Sequence, residues 1–375
     1  MVDLVDPSTG RSGEAWRSET RALISLSELP GVGPVAVRAI VSALGSAEAA
    51  LDASDAVAAG FLGSAAVAAR RSRELHACVE RILETCVRRA VRVLPMGHPR
   101  YPAALFHLPD PPPVLYLRGR LEVLDTVPGI AVVGARRATE RGRRIAAELG
   151  GALARAGATV VSGLARGIDG AAHRGALDVD GTTLAVLGGD VLRPYPASHA
   201  AMHRQIAREG LLVSEFPPGT RALAHHFPRR NRVLAALSRA VIVVEAGRRS
   251  GALITVGHAL DLGVEVFAVP GSIDSPQSEG TNRLVRDGAG VVVSIEELLR
   301  ALNLTDDAAP AAARMAALPP AFRALLEAMG PESATVDQLA RAAGLDVSVA
   351  LGALASLEME GWAERLAGMR YRRAG

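Results

Sequence analysis

Residues 131–177, AVVGARRATERGRRIAAELGGALARAGATVVSGLARGIDGAAHRGAL, carry the clearest secondary-structure pattern in this chain. Two short runs rich in β-branched residues, 130–133 and 159–161, are typical of buried parallel strands. A loop containing glycine and a helical stretch follow each run, and the first helix is expected at about 140–156. Because a right-handed crossover brings the second strand beside the first, both loops should open at the same edge of the sheet. The segment therefore predicts a βαβα unit.

Both loops end at helix N-termini, where free backbone N–H groups and the helix dipole favour an anion. Residues 131–176 also contain eight arginines but only three acidic residues. This excess of positive charge predicts a phosphate, or several phosphates, as the ligand. Arg136 lies two residues after the strand-end glycine, Gly134, and is the strongest candidate for an anion contact. Three other arginines are expected to form a solvated helix face: Arg137, Arg141 and Arg144.

Composition excludes several classes of protein. The chain has 375 residues, of which 49% are hydrophobic, and this is enough for two or three domains. No apolar run has the length of a membrane span, and the first residues lack a signal-peptide core, so we expect a cytoplasmic protein without a membrane partner. All 42 basic residues are arginine, which excludes Walker A and Schiff-base lysines. The two cysteines lie outside any CxxC or Cys/His cluster and predict neither a disulfide framework nor a metal site.

The chain is predicted to contain three domains. Residues 17–93 are rich in alanine and helical in period, which indicates a small helical domain of the helix-hairpin-helix (SAM-like) kind. Its turn at 31–33, Gly-Val-Gly, could offer N–H groups to a DNA phosphate or could be an ordinary glycine turn, and the sequence leaves both open. Residues 94–302 are predicted to form a sheet domain, and residues 318–375 read as three helices and a short hairpin, as in a winged helix.

The sheet domain is expected to be an extended Rossmann-like α/β fold. After the first two strands, apolar runs alternate with helical stretches, which is typical of a doubly wound parallel sheet. The runs are 183–187, 211–214, 240–244, 264–269 and 290–293. Residues 94–129, with four prolines between 109 and 113, are predicted to be an extended lead-in. Most strands end in small-residue loops at the carboxyl edge, where such sheets bind ligands, and a row of phosphate-sized sites there suits a polymer backbone.

The predicted winged helix has an unusual charge pattern. Thr335 and Gln338 have the spacing of a capping box at the start of its second helix. The third helix is expected to turn four apolar residues inward: Val347, Leu351, Leu354 and Leu357. This helix, DVSVALGALASLEME, contains no arginine and three acids, which would repel a phosphate backbone. We therefore favour a partner-binding or packing role for it.

A second basic segment lies at 225–232, HHFPRRNR, just before an apolar helix. It carries three arginines and no acid, so it can clamp phosphates while offering a ring or an amide to a base. Arg232, the arginine nearest the helix, is the candidate for a structural ion pair with an acid such as Glu215 or Glu245.

Enzyme signatures are missing from the sequence. The first loop lacks the GxGxxG fingerprint of dinucleotide-binding enzymes because Arg136 stands at the second glycine, and the second strand ends in Ser162 and Gly163 without an acid. Neither GxSxG nor HExxH occurs. Asp169 and His173 have helical spacing and could mimic an acid/base pair, but no nucleophile lies beside them. We expect Asp169 to cap its helix and His173 to pack nearby.

Several consecutive motifs resemble the DNA-processing protein A (DprA/Smf) family. They are DPPPVLYLRG, GARRATERG, VSGLARGIDGAAHRGAL, FPRRNRVLAALS, VVEAGRRSGALIT and VPGSIDSPQSEGTNRLVRDGA, between about residues 95 and 302. One departure is visible in the family's GxRxxSxYG motif. Arg141 stands where the family usually has tyrosine, and Thr139 stands for the serine, so the resemblance predicts no ring contact from that position.

The resemblance implies a homodimeric, non-catalytic protein without a cofactor, which binds single-stranded DNA and helps load the RecA recombinase on incoming DNA during natural transformation. Carried onto this sequence, the DNA-binding pocket comprises loop residues, arginines and one stacking ring. They are Gly134, Arg136, Thr139, Ser162, Gly163, Arg166, Tyr195, Arg229, Arg230, Asn231, Ser250 and Gly251. The alternative is a nucleotide-processing phosphoribohydrolase of related architecture, although the strand end at 270–273, PGSI, lacks the PGGxGT loop that typifies that class.

Overall fold

The structure is a computed structural model that describes residues 13–304, 318–329, 333–359, 362–366 and 370–373. It divides into two units, Met1–Leu304 and Thr305–Gly375. The described part of the first unit begins with helices, three of which are capped by serine side chains. These helices are α1 (Gly13–Ser27), α2 (Pro34–Leu44), α3 (Ala47–Asp52), α4 (Asp55–Ala58), α5 (Ser64–Ala69) and α6 (Arg73–Arg88).

A nine-stranded sheet follows and forms the centre of this unit. Its strands are β1 (Arg92–Pro95), β2 (Val114–Gly119), β3 (Gly129–Val133), β4 (Val160–Ser162), β5 (Thr183–Val186), β6 (Leu211–Ser214), β7 (Ser238–Val243), β8 (Glu265–Ala268) and β9 (Gly290–Val291). They lie in the order β1-β2-β6-β5-β4-β3-β7-β8-β9. Neighbours from β6 through β9 are parallel, whereas β2 is antiparallel to both β1 and β6. The predicted Rossmann-like sheet is confirmed, with an added antiparallel edge.

The lead-in at 94–129 differs from the predicted extended linker. Residues 114–119 form β2, which lies inside the sheet, and the start of the lead-in belongs to β1. The proline run ends just before β2, so it interrupts no ladder hydrogen bond of that strand. Tyr101 fixes the segment because its hydroxyl donates a 2.7 Å hydrogen bond to the Pro112 carbonyl. A buried strand thus begins directly after the prolines.

Helices cover both faces of the sheet, because its central strands bury side chains on both sides. In β3, Ile130 and Val132 face α7, α8 and α13, whereas Ala131 and Val133 face α10 and α11. The helices of this part are α7 (Glu140–Arg155), α8 (Ile168–Leu177), α9 (Ala200–Glu209), α10 (His226–Ala236), α11 (Ala252–Asp261), α12 (Glu279–Arg286) and α13 (Ile295–Ala301). This double covering explains why the strands are uninterrupted apolar runs.

The N-terminal helices share a core with the sheet. Leu23 of α1 and Ile40 of α2 belong to the same buried cluster as Tyr116 of β2 and Ile206 of α9. The turn predicted for a helix-hairpin-helix lies between α1 and α2, where Gly31 has a φ of 72°, a conformation that favours glycine. DNA contact by this turn stays a prediction, as do the domain boundaries.

The chain order of the strands reverses beside β3. From β3 the chain continues through β4 and β5 to β6, and it then returns to place β7 on the other side of β3. In open α/β sheets, ligands bind in the crevice at the carboxyl ends of the two strands that flank such a reversal. The loops after β3 and β7 therefore frame the candidate site.

The second unit contains helices and a small antiparallel sheet. Its elements are α14 (Pro320–Ala328), β10 (Ala334–Thr335), α15 (Val336–Ala343), α16 (Val347–Met359), β11 (Ala363–Leu366) and β12 (Arg370–Arg373). The strands lie in the order β10-β12-β11, and β11 and β12 form the predicted hairpin. Thr335 and Gln338 form the capping box predicted at the start of α15.

The third helix of this unit, α16, is only partly as predicted. Leu354 and Leu357 are fully buried, but Val347 and Leu351 are 47% and 41% exposed, because two alanines share the buried face instead. No single helix within the described ranges is long and apolar enough to span a membrane. The pair Val336–Ala343 and Val347–Glu358, bent by 106°, has that length and composition only when both helices are taken together.

Candidate nucleic-acid interface

Two adjoining cavities lie along the carboxyl edge of the nine-stranded sheet. The larger, of about 740 Å³, lies between the loops after β3 and β7, and we call it the switch-point cavity. The smaller, of about 500 Å³, is lined by the loops after β4 and β5, and we call it the side cavity. Ligands of open α/β sheets bind at this edge. The two cavities share lining residues and are treated together as one candidate site.

Arg136, Tyr195 and Phe227 line both cavities and form the wall between them. The guanidinium carbon of Arg136 is 4.8 Å from the centre of the Phe227 ring, and the Tyr195 and Phe227 ring centres are 5.2 Å apart. Tyr195 is 50% exposed. A guanidinium beside partly exposed rings can bind a phosphate, and the rings can stack with a base. The wall therefore offers both kinds of contact that a nucleotide needs.

Positive charge at this edge is largely unpaired. Four exposed arginines line the side cavity and have no acidic partner within 4 Å among the residues that the structure describes. They are Arg136, Arg137, Arg166 and Arg221. Arg193 differs, because it pairs with the buried Asp190 at 3.7 Å. The unpaired charges attract anions, and salt should screen this attraction.

The loop after β3 is held by a buried carboxylate. Glu245, which follows β7 and is 8% exposed, accepts a 2.9 Å hydrogen bond from the Thr139 backbone N–H and another from the Thr139 hydroxyl. The same hydroxyl oxygen accepts a 2.9 Å hydrogen bond from the Gly142 N–H and so caps α7. The sequence predicts a phosphate at this helix N-terminus, but the chain's own carboxylate lies there. Thr139 therefore holds the loop and lines neither cavity.

The loop after β4 is held in a similar way by Asp169. Its Oδ2 atom accepts hydrogen bonds from the N–H groups of Gly163 and Ala165, at 3.1 and 3.4 Å. Burial raises the pKa of Asp169, while the Arg230 guanidinium and the two N–H groups oppose this shift. The expectation that Asp169 caps its helix is wrong, because Gly167 occupies the N-cap position of α8, and Asp169, within the helix, bonds to the β4 loop instead.

Arg230, predicted to contact DNA, lies inside the protein. It is 4% exposed, and its Nη1 atom donates hydrogen bonds to the carbonyl oxygens of Gly163, at 2.7 Å, and Val186. Burial lowers the pKa of Arg230 to about 10, and the Asp169 carboxylate opposes this shift. A Cβ atom on Gly163 would lie 2.2 Å from the Arg230 Nη1 atom, so the guanidinium fills the space that the glycine leaves. Arg230 thus supports the β4 loop.

Arg232 forms the structural ion pair predicted from the sequence, with Glu215 as its partner. Its Nη2 atom is 2.6 Å from Glu215 Oε2, and its Nε atom is 3.1 Å from Asp110. Arg229 shares the same Glu215 oxygen at 2.9 Å but keeps 42% of its side chain exposed. The two guanidiniums thus face two carboxylates, Glu215 and Asp110, and the cluster carries no excess positive charge.

The remaining predicted residues differ in their access to a ligand. Ser250 and Gly251, at the start of α11, line the switch-point cavity, and a Cβ atom on Gly251 would meet no atom within 4 Å. The Asn231 side-chain amide donates a 3.3 Å hydrogen bond to the Gly251 carbonyl and so ties α10 to this loop. The Ser162 hydroxyl, by contrast, donates at 2.7 Å to the Val132 carbonyl inside the sheet.

Nine of the twelve predicted residues line one or both cavities, whereas Thr139, Ser162 and Arg229 line neither. Sequence reasoning misses Arg137, which lies in the loop beside Arg136 because α7 begins only after it. The predicted solvated helix face is therefore wrong for Arg137. The sequence-based prediction also omits Phe227 from the contact residues, although Phe227 lines both cavities and stands next to the arginines of the segment 225–232.

Comparisons with known proteins agree with this architecture. Residues 92–303 match the family model described as DNA recombination-mediator protein A, and residues 308–369 match the DprA winged helix domain. Protein Smf of Escherichia coli (strain K12) is 40% identical over 294 residues, which cover 75% of this chain and 78% of that protein. The DNA processing protein DprA of Bacillus subtilis (strain 168) is 36% identical over 222 residues, 59% of this chain and 75% of that protein.

Two solved structures share the fold. The X-ray structure of DNA processing protein A from Streptococcus pneumoniae matches with a TM-score of 0.66 and 30% identity, covering 76% of this chain and 97% of that chain. A structure that concerns the single-stranded DNA binding mode of DNA processing protein A from Helicobacter pylori matches with a TM-score of 0.52 and 31% identity, covering 56% of this chain and 95% of that chain. The first family model alone spans more than half of the residues, and the chain therefore belongs to the DNA processing protein A (DprA/Smf) family.

Proposed function

We propose that this chain binds single-stranded DNA along the carboxyl edge of its sheet and acts as a recombination mediator. The family description names a recombination mediator, and the Helicobacter pylori relative binds single-stranded DNA. We assign DNA binding to this edge because of one observation, the wall of Arg136, Tyr195 and Phe227 between the two cavities.

The wall accounts for a preference for single strands. The exposed arginines beside it can each neutralise a backbone phosphate, while the rings of Tyr195 and Phe227 offer faces on which bases stack. In a duplex the faces of internal bases are already covered by their neighbours, so the rings gain no contact there. The cavities on either side of the wall then have room for consecutive unstacked nucleotides.

The family resemblance supports two finer parts of the proposal, a protein partner and an oligomeric state. The protein partner is the RecA recombinase, which the chain helps to load on single-stranded DNA in the cytoplasm during DNA processing and natural transformation. The chain acts as a homodimer. RecA assembly on single-stranded DNA, measured with and without the chain, tests the first part, and the mass in solution by light scattering tests the second.

Catalysis is not part of the proposal. A phosphoribohydrolase needs an acid or base that reaches the nucleotide. Glu245 lines neither cavity, and Asp169, which lines the switch-point cavity, is only 6% exposed and already accepts hydrogen bonds from two loop N–H groups. At the strand end 270–273 the Gly271 N–H donates to the Asn282 side chain at 3.0 Å. Sustained release of base from nucleoside monophosphates would contradict this part.

A competition titration tests the proposed binding. A fluorescent single-stranded oligonucleotide is bound by the chain, and unlabelled single-stranded or duplex DNA of the same sequence is added as competitor. We expect the single strand to displace the probe at a lower concentration than the duplex. Equal displacement by both would contradict the role of the ring-bearing wall.

A further inference from the structure

The Glu245 carboxylate lies against the first turn of α7, where a bound phosphate would otherwise be expected. Both of its oxygens are engaged by Thr139, one by the backbone N–H and one by the hydroxyl. A Cβ atom on Gly142 would lie 2.3 Å from the Glu245 carboxyl carbon and 2.5 and 2.6 Å from its oxygens. The carboxylate therefore fills a space that exists only because residue 142 is glycine.

This position matters because of the strand order. The α7 N-terminus follows β3 at the chain reversal, which is where nucleotides place a phosphate in parallel sheets of this architecture. The donors of the neighbouring β4 loop are engaged as well, because the Gly163 and Ala165 N–H groups bond to Asp169. Two buried carboxylates of the chain itself thus hold the N–H groups that a nucleotide phosphate would use.

We propose that Glu245 is a specificity-determining residue that excludes free nucleotides and inorganic phosphate from the α7 N-terminus. A phosphate monoester carries a charge of about −1.5 to −2 near neutral pH and would meet a fixed negative charge there. An internal DNA phosphodiester carries a single charge and can be held from the side by the exposed Arg136 and Arg137. The second half of this inference rests on the proposed DNA binding, and the first half does not.

The test measures anion binding without DNA. Melting temperatures of the wild type, Glu245→Gln and Glu245→Ala are recorded with inorganic phosphate or adenosine monophosphate, against chloride at the same ionic strength. We expect a smaller phosphate-specific rise for the wild type, which can bind these anions only at its exposed arginines, than for the two variants. Because the variants remove the carboxylate that opposes an anion at this helix N-terminus, they should bind either anion about tenfold more tightly than the wild type.

Glu148→Gln is the matched control, because it removes a carboxylate that lies on α7 itself, at an exposed position 3.7 Å from Arg144 and away from the first turn. It should respond as the wild type does. Binding of phosphate or adenosine monophosphate at the α7 N-terminus of the wild type, detected as NMR shifts of the Thr139 and Gly142 amides, would overturn the proposal, and this holds even if both Glu245 variants fail to fold. The proposal would also be overturned if the folded Glu245 variants bound phosphate and adenosine monophosphate no more tightly than the wild type. If the wild type bound no single-stranded DNA, this would contradict the proposed function and leave the anion result unaffected.

Discussion

The Arg136 guanidinium carbon lies 4.8 Å from the centre of the Phe227 ring, and both residues line both cavities at the carboxyl edge of the sheet. Arg136 comes from the loop after β3, whereas Phe227 comes from α10, far along the chain. Their contact brings a phosphate-binding group and a base-stacking surface to one point. The properties expected of the interface follow from this pair and from the residues that hold its loops.

Replacing Arg136 by alanine should weaken binding to single-stranded DNA by about tenfold, because a charge-assisted contact to a phosphate is lost. The slope of log affinity against log salt should also become less negative by about 0.7, the value expected when one phosphate contact is lost. Arg144→Ala is the control, since Arg144 is 70% exposed on α7 and lies 3.7 Å from Glu148. Equal effects of the two substitutions in an anisotropy titration would mean that a diffuse basic surface, and not the pocket, binds DNA.

Phe227→Leu should reduce affinity for single-stranded DNA by about tenfold, because stacking on an aromatic ring contributes about 1–3 kcal/mol per base. The salt slope should stay the same, since no charge is removed. Phe106→Leu provides the comparison: Phe106 is 42% exposed, contacts Tyr101 and lines neither cavity. The stacking role would be refuted by a Phe227→Leu protein that binds as the wild type does.

Gly163→Ala should lower the free energy of unfolding by about 1–3 kcal/mol, because the new methyl group would collide with the buried Arg230 guanidinium. Urea unfolding followed by circular dichroism measures the change. Gly257→Ala, at a position inside α11 with no atom within 4 Å of the added methyl group, should instead raise stability by up to about 1 kcal/mol. If both substitutions had the same effect, the close packing of Arg230 on Gly163 would be disproved.

His173 should make the protein less stable in acid. Burial, with help from His199 and Arg230, lowers its pKa to about 3, and its Nδ1 atom lies 2.7 Å from the Thr183 hydroxyl. Between about pH 6.5 and pH 3 the unfolded chain binds a proton that the folded chain does not, so stability falls by up to about 1.4 kcal/mol per pH unit as the pH falls.

His173→Asn removes this titration and keeps a polar group near Thr183. Unfolding free energies at about pH 6 and pH 4 should then differ less for the variant than for the wild type. Parallel pH profiles of the two proteins would show that the pKa of His173 is not lowered in the folded state. The deep burial of this ring, at 0% exposure, also argues against the acid/base alternative for Asp169 and His173.

The sequence predicts most of the sheet domain because its signals are local. Uninterrupted apolar runs mark the strands, and helix α7 begins at Glu140 as expected, since Thr139 is a good capping residue. The proline run at 109–113 hides β2, because local composition there suggests a linker, while the partner strand β6 is far away in sequence. The local sequence pattern contains no information on the pairing of strands that are distant in sequence.

The site is less predictable than the fold for the same reason. Glycine loops and arginines indicate an anion site, and Arg136, Ser250 and Gly251 do line the switch-point cavity. Which donors are already used depends on contacts between distant residues, such as Glu245 with Thr139. The burial of Arg230 likewise follows from the space beside Gly163, which no spacing rule reveals.

Affinity for a single-stranded oligonucleotide and for the duplex of the same sequence, each measured across a salt series, tests the central claim most directly. If the four unpaired arginines of the side cavity each neutralise one phosphate, log affinity for the single strand should fall with a slope of about −3 against log salt. The single strand should also bind more tightly than the duplex at every salt concentration. A flat salt response, or a duplex bound as tightly as the single strand, would contradict the account.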